Sequence, residues 1–333
     1  MAFTDTEKFS KAALQLDVPQ EVERITQFLR EGILHQFRRQ GAVVGISGGI
    51  DSSVVLALCV RALGAERVLG ILMPERESSP ESADLAHLLA DHFGVRTVTE
   101  NITPILDAAG CYQRRDEAVS QLFPEYSNGW KCKISLPGNL LDQDTLNIFS
   151  LTVIDPQGQE YRKRLPPAQF SQIVAASNFK QRSRMLTLYY HAEQRNYAVV
   201  GTPNKNEHAL GFFVKYGDGG TDISPIQHLW KNQVYQLARF LEIPEEIQAR
   251  TPTTDTYSAG GSQEEFFYRI PFEILDLVWL GMEQHVPAAE IAAALDLTAE
   301  QVERVIADVQ RKQRTTQYLR TPVLTLEKEE AGE

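Results

Sequence analysis

Apolar positions change period several times along this chain, and each change marks an element. Val22, Ile25, Phe28, Leu29 and Ile33 recur at helical spacing, which predicts a helix within residues 18–40 leading into the apolar run Ala42-Val43-Val44. Glycines and serines interrupt at 45–53, after which Val54-Val55-Leu56-Ala57-Leu58 predicts a second helix. Arg67-Val68-Leu69-Gly70-Ile71-Leu72-Met73-Pro74 is almost continuously apolar and closed by proline, as a parallel strand buried on both faces would be. The same reading predicts a helix from Ser82 to Phe93, a strand from Val95 to Glu100, a helix from Asn178 to Arg195 and a strand over Tyr197-Ala198-Val199-Val200-Gly201. Strands alternating with helices predict an α/β fold with a doubly wound parallel sheet. Its ligands would sit beyond the carboxyl ends of the strands.

The rhythm breaks between Phe123 and Ser177. Apolar alternation through Asn147-Ile148-Phe149-Ser150-Leu151-Thr152-Val153-Ile154, before Asp155-Pro156-Gln157-Gly158, predicts a β-hairpin carried by an insertion at about 124–170. After Thr256 helical spacing returns in Phe272–Met282 and Pro287–Leu295, and Thr298-Ala299-Glu300-Gln301 opens a further helix with a capping-box pattern. The expected organisation is an α/β unit at 18–265, a small helical part at 266–322 and a charged tail at 323–333.

Composition narrows the class. The 333 residues are 43% hydrophobic and hold no apolar run of membrane-spanning length, and the opening residues carry no signal pattern. The expectation is a soluble cytoplasmic protein. Cys59, Cys111 and Cys132 are odd in number and widely spaced, which argues against a disulfide scaffold or a Cys-x-x-Cys site. A net charge of −11 argues against nucleic acid as a partner.

Chemistry enters at Gly45-Ile46-Ser47-Gly48-Gly49-Ile50-Asp51-Ser52-Ser53. A glycine turn between a strand and a helix aims unpaired N–H groups and the positive end of the helix dipole at one point, a ready phosphate site. Neither Gly-x-x-x-x-Gly-Lys-Ser/Thr nor Gly-x-Gly-x-x-Gly is present. Ser-Gly-Gly-x-Asp-Ser instead resembles the pyrophosphate loop of ATP pyrophosphatases, which split ATP into AMP and pyrophosphate while adenylating a substrate oxygen. Three further stretches join it: Asn178-Phe179-Lys180-Gln181-Arg182-Ser183-Arg184-Met185, the segment from Gly201-Thr202-Pro203-Asn204-Lys205-Asn206-Glu207 to Lys215-Tyr216-Gly217-Asp218-Gly219-Gly220-Thr221-Asp222, and Lys231-Asn232-Gln233. Together they resemble ammonia-dependent NAD synthetase, whose sheet is Rossmann-like and of the adenine nucleotide α-hydrolase type.

That resemblance implies amidation of nicotinic acid adenine dinucleotide through an adenylated carboxylate, with ATP and Mg²⁺ required. It assigns Ser47, Gly48, Gly49, Asp51, Ser52, Ser53, Thr202, Lys231 and Thr253 to the nucleotide, and Asp51 and Glu207 to the metal. Lys231 would stabilise charge on the leaving pyrophosphate, and Asp218 would capture and deprotonate ammonium. Asn178, Arg184, Tyr189, Lys215 and Asp222 fall around the dinucleotide. Alternatives stand beside these roles: Asp222 as a turn cap, Arg184 as a surface charge, and Tyr189 as core. The resemblance also implies a homodimer with the acceptor across its interface.

Residues 251–265 resemble the family's mobile loop in an altered form, and glycines between small polar residues suit a cover that excludes water. This alteration and the insertion leave room for a ligase that adenylates a different carboxylate, such as a mononucleotide, a sugar acid or a natural-product precursor. A catalytically dead nucleotide sensor is a second rival, although it would be expected to lose Asp51, Glu207 or Lys231. Almost all of the chain is assigned to the synthetase unit, so nitrogen would come as free ammonia or from a separate partner subunit.

Overall fold

The computed structural model describes residues 8–136, 138–142, 148–253 and 256–326. Asn147 of the expected hairpin, Thr254-Asp255 of the loop and the charged end Lys328–Glu333 lie outside the described residues. Along the chain run α1 (Val18–Arg30), β1 (Ala42–Gly45), α2 (Ile50–Leu63), β2 (Val68–Leu72), α3 (Pro80–Phe93), β3 (Arg96–Thr99), α4 (Thr103–Ala108) and α5 (Cys111–Ser120). Then come β4 (Lys131–Ser135), β5 (Ser150–Ile154), β6 (Glu160–Arg164), α6 (Pro167–Arg195), β7 (Ala198–Val200), α7 (Lys205–Leu210), α8 (Lys231–Phe240) and α9 (Glu245–Ala249). The chain closes with α10 (Phe272–Glu283), α11 (Ala288–Leu295) and α12 (Ala299–Thr315).

Four parallel strands form the central sheet in the order β3-β2-β1-β7. Side chains alternate across it. Val43, Leu69, Ile71 and Val199 meet Met185, Leu188 and Ala192 of α6 on one face. Ala42, Val44, Val68, Leu72, Ala198 and Val200 pack with α1, α2, α3 and α8 on the other. Helices therefore cover both faces, the doubly wound arrangement expected from apolar runs with no polar side.

The segment expected to carry a hairpin holds three strands. β5 and β6 pair antiparallel around Asp155–Gly158, and β4 adds a third strand on the far side of β5. Ala118, Val119, Phe123, Cys132, Ile134, Leu151, Val153 and Ile173 give this sheet its own core. The following helix also starts earlier than its sequence periodicity indicated, at Pro167 rather than Asn178. Proline fits the first turn, where no N–H is needed, and Phe170, Ile173 and Val174 extend the helix by packing on the small sheet. Asn178 consequently lies mid-helix.

In the C-terminal part, Thr298 accepts from Gln301 N–H while the Gln301 side chain accepts from Thr298 N–H, as the capping box predicted. Leu277, Trp279, Ile291, Val302 and Val305 build its core. Leu210 of α7 and Trp230, which caps α8, belong to the same cluster, so this part grips two helices that carry site residues.

Candidate active site

Beyond the carboxyl ends of β1, β2 and β7 lies a cavity of about 270 Å³. Its floor is the turn after β1. Gly48 has φ +71, and a Cβ there would stand 2.6 Å from the Ser82 carbonyl, so only glycine fits. Ser52 and Ser53 hydroxyls donate to Gly49 O at 3.0 and 2.8 Å, and Gly49 N–H donates to Ser47 Oγ at 3.3 Å. Ser53 is fully buried, and its hydroxyl shapes the turn. Ser47, Gly49, Asp51 and Ser52 line the cavity at the N-terminus of α2.

The turn after β7 brings the second wall. Asn204 caps α7, accepting from Glu207 N–H at 3.1 Å, while Glu207 Oε2 accepts from Asn204 N–H at 3.0 Å. The same Asn204 donates through Nδ2 to Asp51 Oδ1 at 2.9 Å. Lys231, the first residue of α8 and wholly buried, reaches Asp51 Oδ2 at 2.5 Å. Burial and then the Asp51 charge push the Glu207 carboxyl up to about 8, because two carboxylates share one fixed ammonium. Burial alone would lower the Lys231 ammonium, but Asp51 and Glu207 outweigh it and raise it.

A supporting layer lies behind. Lys231 N–H donates to Asn206 Oδ1 at 3.0 Å, and Asn206 Nδ2 donates to Asp276 Oδ1 at 2.6 Å. Asn232 donates to Asp276 Oδ2 from its main chain at 2.9 Å and its side chain at 2.7 Å. Asp276 on α10 thus fixes the starts of α7 and α8 together, and burial pushes its carboxyl up to about 6.

Asp218 lines the cavity, accepts from Val214 N–H at 2.8 Å, and is pushed up to about 6 by burial. Arg184, Thr202, Glu207, Lys231 and Thr253 line it too. Asn178, Tyr189, Lys215 and Asp222 lie outside this lining. Tyr189 donates to Asp222 Oδ1 at 2.8 Å, and Val199 N–H donates to Asp222 Oδ2 at 2.8 Å. Lys215 donates to the carbonyls of Tyr318 and Thr321 at 3.1 and 2.7 Å.

Sequence reading missed several contributors. Arg250 lines the cavity beside the glycine turn, and its guanidinium donates to Gly48 O at 3.3 Å and Ser82 Oγ at 2.7 Å, both neutral oxygens. Gln263 donates to Glu207 Oε1 at 3.3 Å, while its own Oε1 is buried without a hydrogen-bond partner among the described residues. Asn204 and Asn206 stood inside a recognised motif, but Arg250 and Asp276 had no local signal.

The NAD synthase family model matches residues 21–124 and 140–319. A curated relative from Rhizobium meliloti named NH(3)-dependent NAD(+) synthetase is 50% identical over 93% of this chain and 92% of that protein. One of the same name from Mesorhizobium japonicum is 48% identical over 94% of this chain and 98% of that protein. Among solved structures, an NH3-dependent NAD synthetase from Campylobacter jejuni superposes with a TM-score of 0.60 at 22% identity, over 94% of this chain and all of that one. At that identity the superposition supports the fold alone.

Proposed function

Because the chain belongs to the NAD synthase family, we infer that it converts nicotinic acid adenine dinucleotide, ATP and ammonia into NAD, AMP and pyrophosphate. The observation that carries this reading is the convergence of Asp51, Glu207, Lys231 and Asp218 on one cavity at the phosphate-binding turn. In the first step a carboxylate oxygen of the acceptor attacks the α-phosphorus, and the bond to pyrophosphate breaks. The glycine turn donates N–H groups to the phosphates, Lys231 stabilises charge on the leaving pyrophosphate, and Arg250, whose hydrogen-bond partners among the described residues are neutral, supplies a second cation. In the second step ammonia attacks the acyl carbon and AMP leaves. Asp218, raised by its burial, takes the proton that ammonium must lose.

Asp51 and Glu207 would hold Mg²⁺. The fit rests on two carboxylates that line the cavity beside one ammonium and on Gln263 Oε1, which has no partner among the described residues and could accept from a metal-bound water. When bound, the ion neutralises the phosphates that otherwise repel the acceptor carboxylate.

Asn178, Tyr189, Lys215 and Asp222, with Arg184, are assigned to the acceptor. Asn178, Arg182, Leu186 and Tyr190 share a stripe of α6, and Leu186 and Tyr190 are 64% and 61% exposed. A second copy covering this stripe would complete the acceptor site, so the proposed assembly is a homodimer; light scattering reads its mass. No described helix is long and apolar enough to cross a membrane, and a cytoplasmic location is part of the proposal.

Purified protein with ATP, Mg²⁺, an ammonium salt and nicotinic acid adenine dinucleotide should form AMP, pyrophosphate and NAD in equal amounts. Asp51→Ala should lower all three by about a thousandfold. ATP left intact with this acceptor, yet cleaved when another carboxylate is supplied, would overturn the assignment.

A further inference from the structure

The stretch that the family model leaves unmatched, 125–139, contains β4. One edge of β4 pairs with β5; the other receives the loop that borders the cavity. Cys132 N–H donates to Ser258 Oγ at 3.0 Å, and Ala259 N–H donates to the Cys132 carbonyl at 3.1 Å. Tyr257 beside them is 6% exposed and belongs to the core under the β4-β5-β6 sheet, its ring 5.3 Å from that of Phe266.

Both ends of this loop reach the site. Thr251, Pro252, Thr253 and Gln263 line the cavity, Thr253 and Ser262 form an antiparallel bridge, and Gln263 N–H donates to Pro252 O at 2.9 Å. Gln263 then contacts Glu207. The contacts run from β4 to Ser258 and Tyr257, from Tyr257 to Phe266, from Phe266 N–H to the Ser262 carbonyl at 3.0 Å, and from the adjacent Gln263 to a carboxylate of the site.

We propose that Tyr257 and Ser258 are positioning residues: by docking on β4 they hold the 256–263 segment over the acyl adenylate, so that the β4-β5-β6 sheet helps to keep water out of the amidation step. The inference rests on the adenylating activity proposed above. Its failure mode is a defined side reaction, in which water instead of ammonia forms the new bond to the acyl carbon. The bond to AMP breaks, and the original carboxylate, AMP and two protons are released, consuming ATP without making NAD.

The test compares AMP with NAD at limiting ammonium. Ser258→Ala, which loses one hydrogen bond, and Tyr257→Leu, which loses the ring contact with Phe266, should each raise the AMP:NAD ratio by about fivefold, with ATP affinity within about twofold of the parent. Tyr161→Ala serves as the control. It removes the ring stacked on Trp130 at 5.9 Å in the same sheet and should lower Tm without changing the ratio. Hydrogen exchange over 256–263 should quicken in Ser258→Ala whether or not the protein turns over. Exchange at the parental rate, a parental ratio in both folded variants, or an equal rise in Tyr161→Ala overturns the proposal. A parent protein that makes no NAD would instead overturn the activity on which it rests.

Discussion

Two buried clusters in this molecule each combine a lysine with two glutamate or aspartate carboxylates, and they behave in opposite ways. In the first, Lys180 of α6 reaches Glu75 at 2.9 Å and Glu77 at 2.7 Å, Arg115 of α5 holds Glu77 at 2.7 Å, and the Tyr112 hydroxyl donates to Glu75 at 2.6 Å. Arg115 also holds the partly exposed Asp116 at 2.8 Å, so that Glu75 and Glu77 each have a cation of their own. Burial alone would raise Glu75, but Lys180 and Tyr112 outweigh it and hold the carboxyl below its ordinary range. In the second, Asp51 and Glu207 share only Lys231, and Glu207 rises to about 8. A balanced cluster in a low dielectric is satisfied and ties the β2–α3 turn to two helices. In an unbalanced one a carboxyl rises, and the proposed Mg²⁺ would offset the excess acid.

The largest effect that sharpens this contrast is expected from Glu207→Gln. NAD formation should fall by about two to three orders of magnitude, while Tm rises by about 1–3 °C because a neutral amide replaces an acid that burial and Asp51 force to hold its proton. A fall in Tm, read by calorimetry, would remove the distinction between the clusters. Lys180→Met should act in the reverse sense, leaving two buried acids facing each other and destabilising the fold by about 3–5 kcal/mol. Urea unfolding measures it, and a loss below about 1 kcal/mol would mean that Arg115 and Tyr112 suffice.

The smallest effect concerns pH and the layer under the site. Asp276 is raised from 3.8 to about 6 in the folded protein. Between those values the folded state keeps a proton that the unfolded chain has released, so stability falls as pH rises through that window and levels off above it. Glu75, held low, contributes with the opposite slope: its stabilisation is present above 4.5 and lost as pH falls below it. Asp276→Asn should abolish a decline on the order of 2–3 kcal/mol across that range. Urea midpoints in wild type and variant check this, and parallel curves would place the titration elsewhere.

The sequence by itself determined the elements that follow local rules. Strands β1, β2 and β7 are legible because buried parallel strands have no polar face, the turn at 45–53 because glycine conformation and helix-start geometry are local, and the Thr298 cap because its partners lie three residues apart. Helix α5 was not legible, since Arg115 occupies one of its buried positions and breaks the apolar period; nor was the start of α6, whose first turns pack on a sheet formed by a preceding segment. Only the tertiary structure decided which charges meet. Lys231 pairs with Asp51 across 180 residues, Lys180 of a recognised motif turns to Glu75 and Glu77, Asp276 joins two helices from a third, and β4 receives the loop beside the cavity. Periodicity reports that a position faces a core but not which core. The state of a buried charge depends on partners within a few ångströms, and folding alone chooses them.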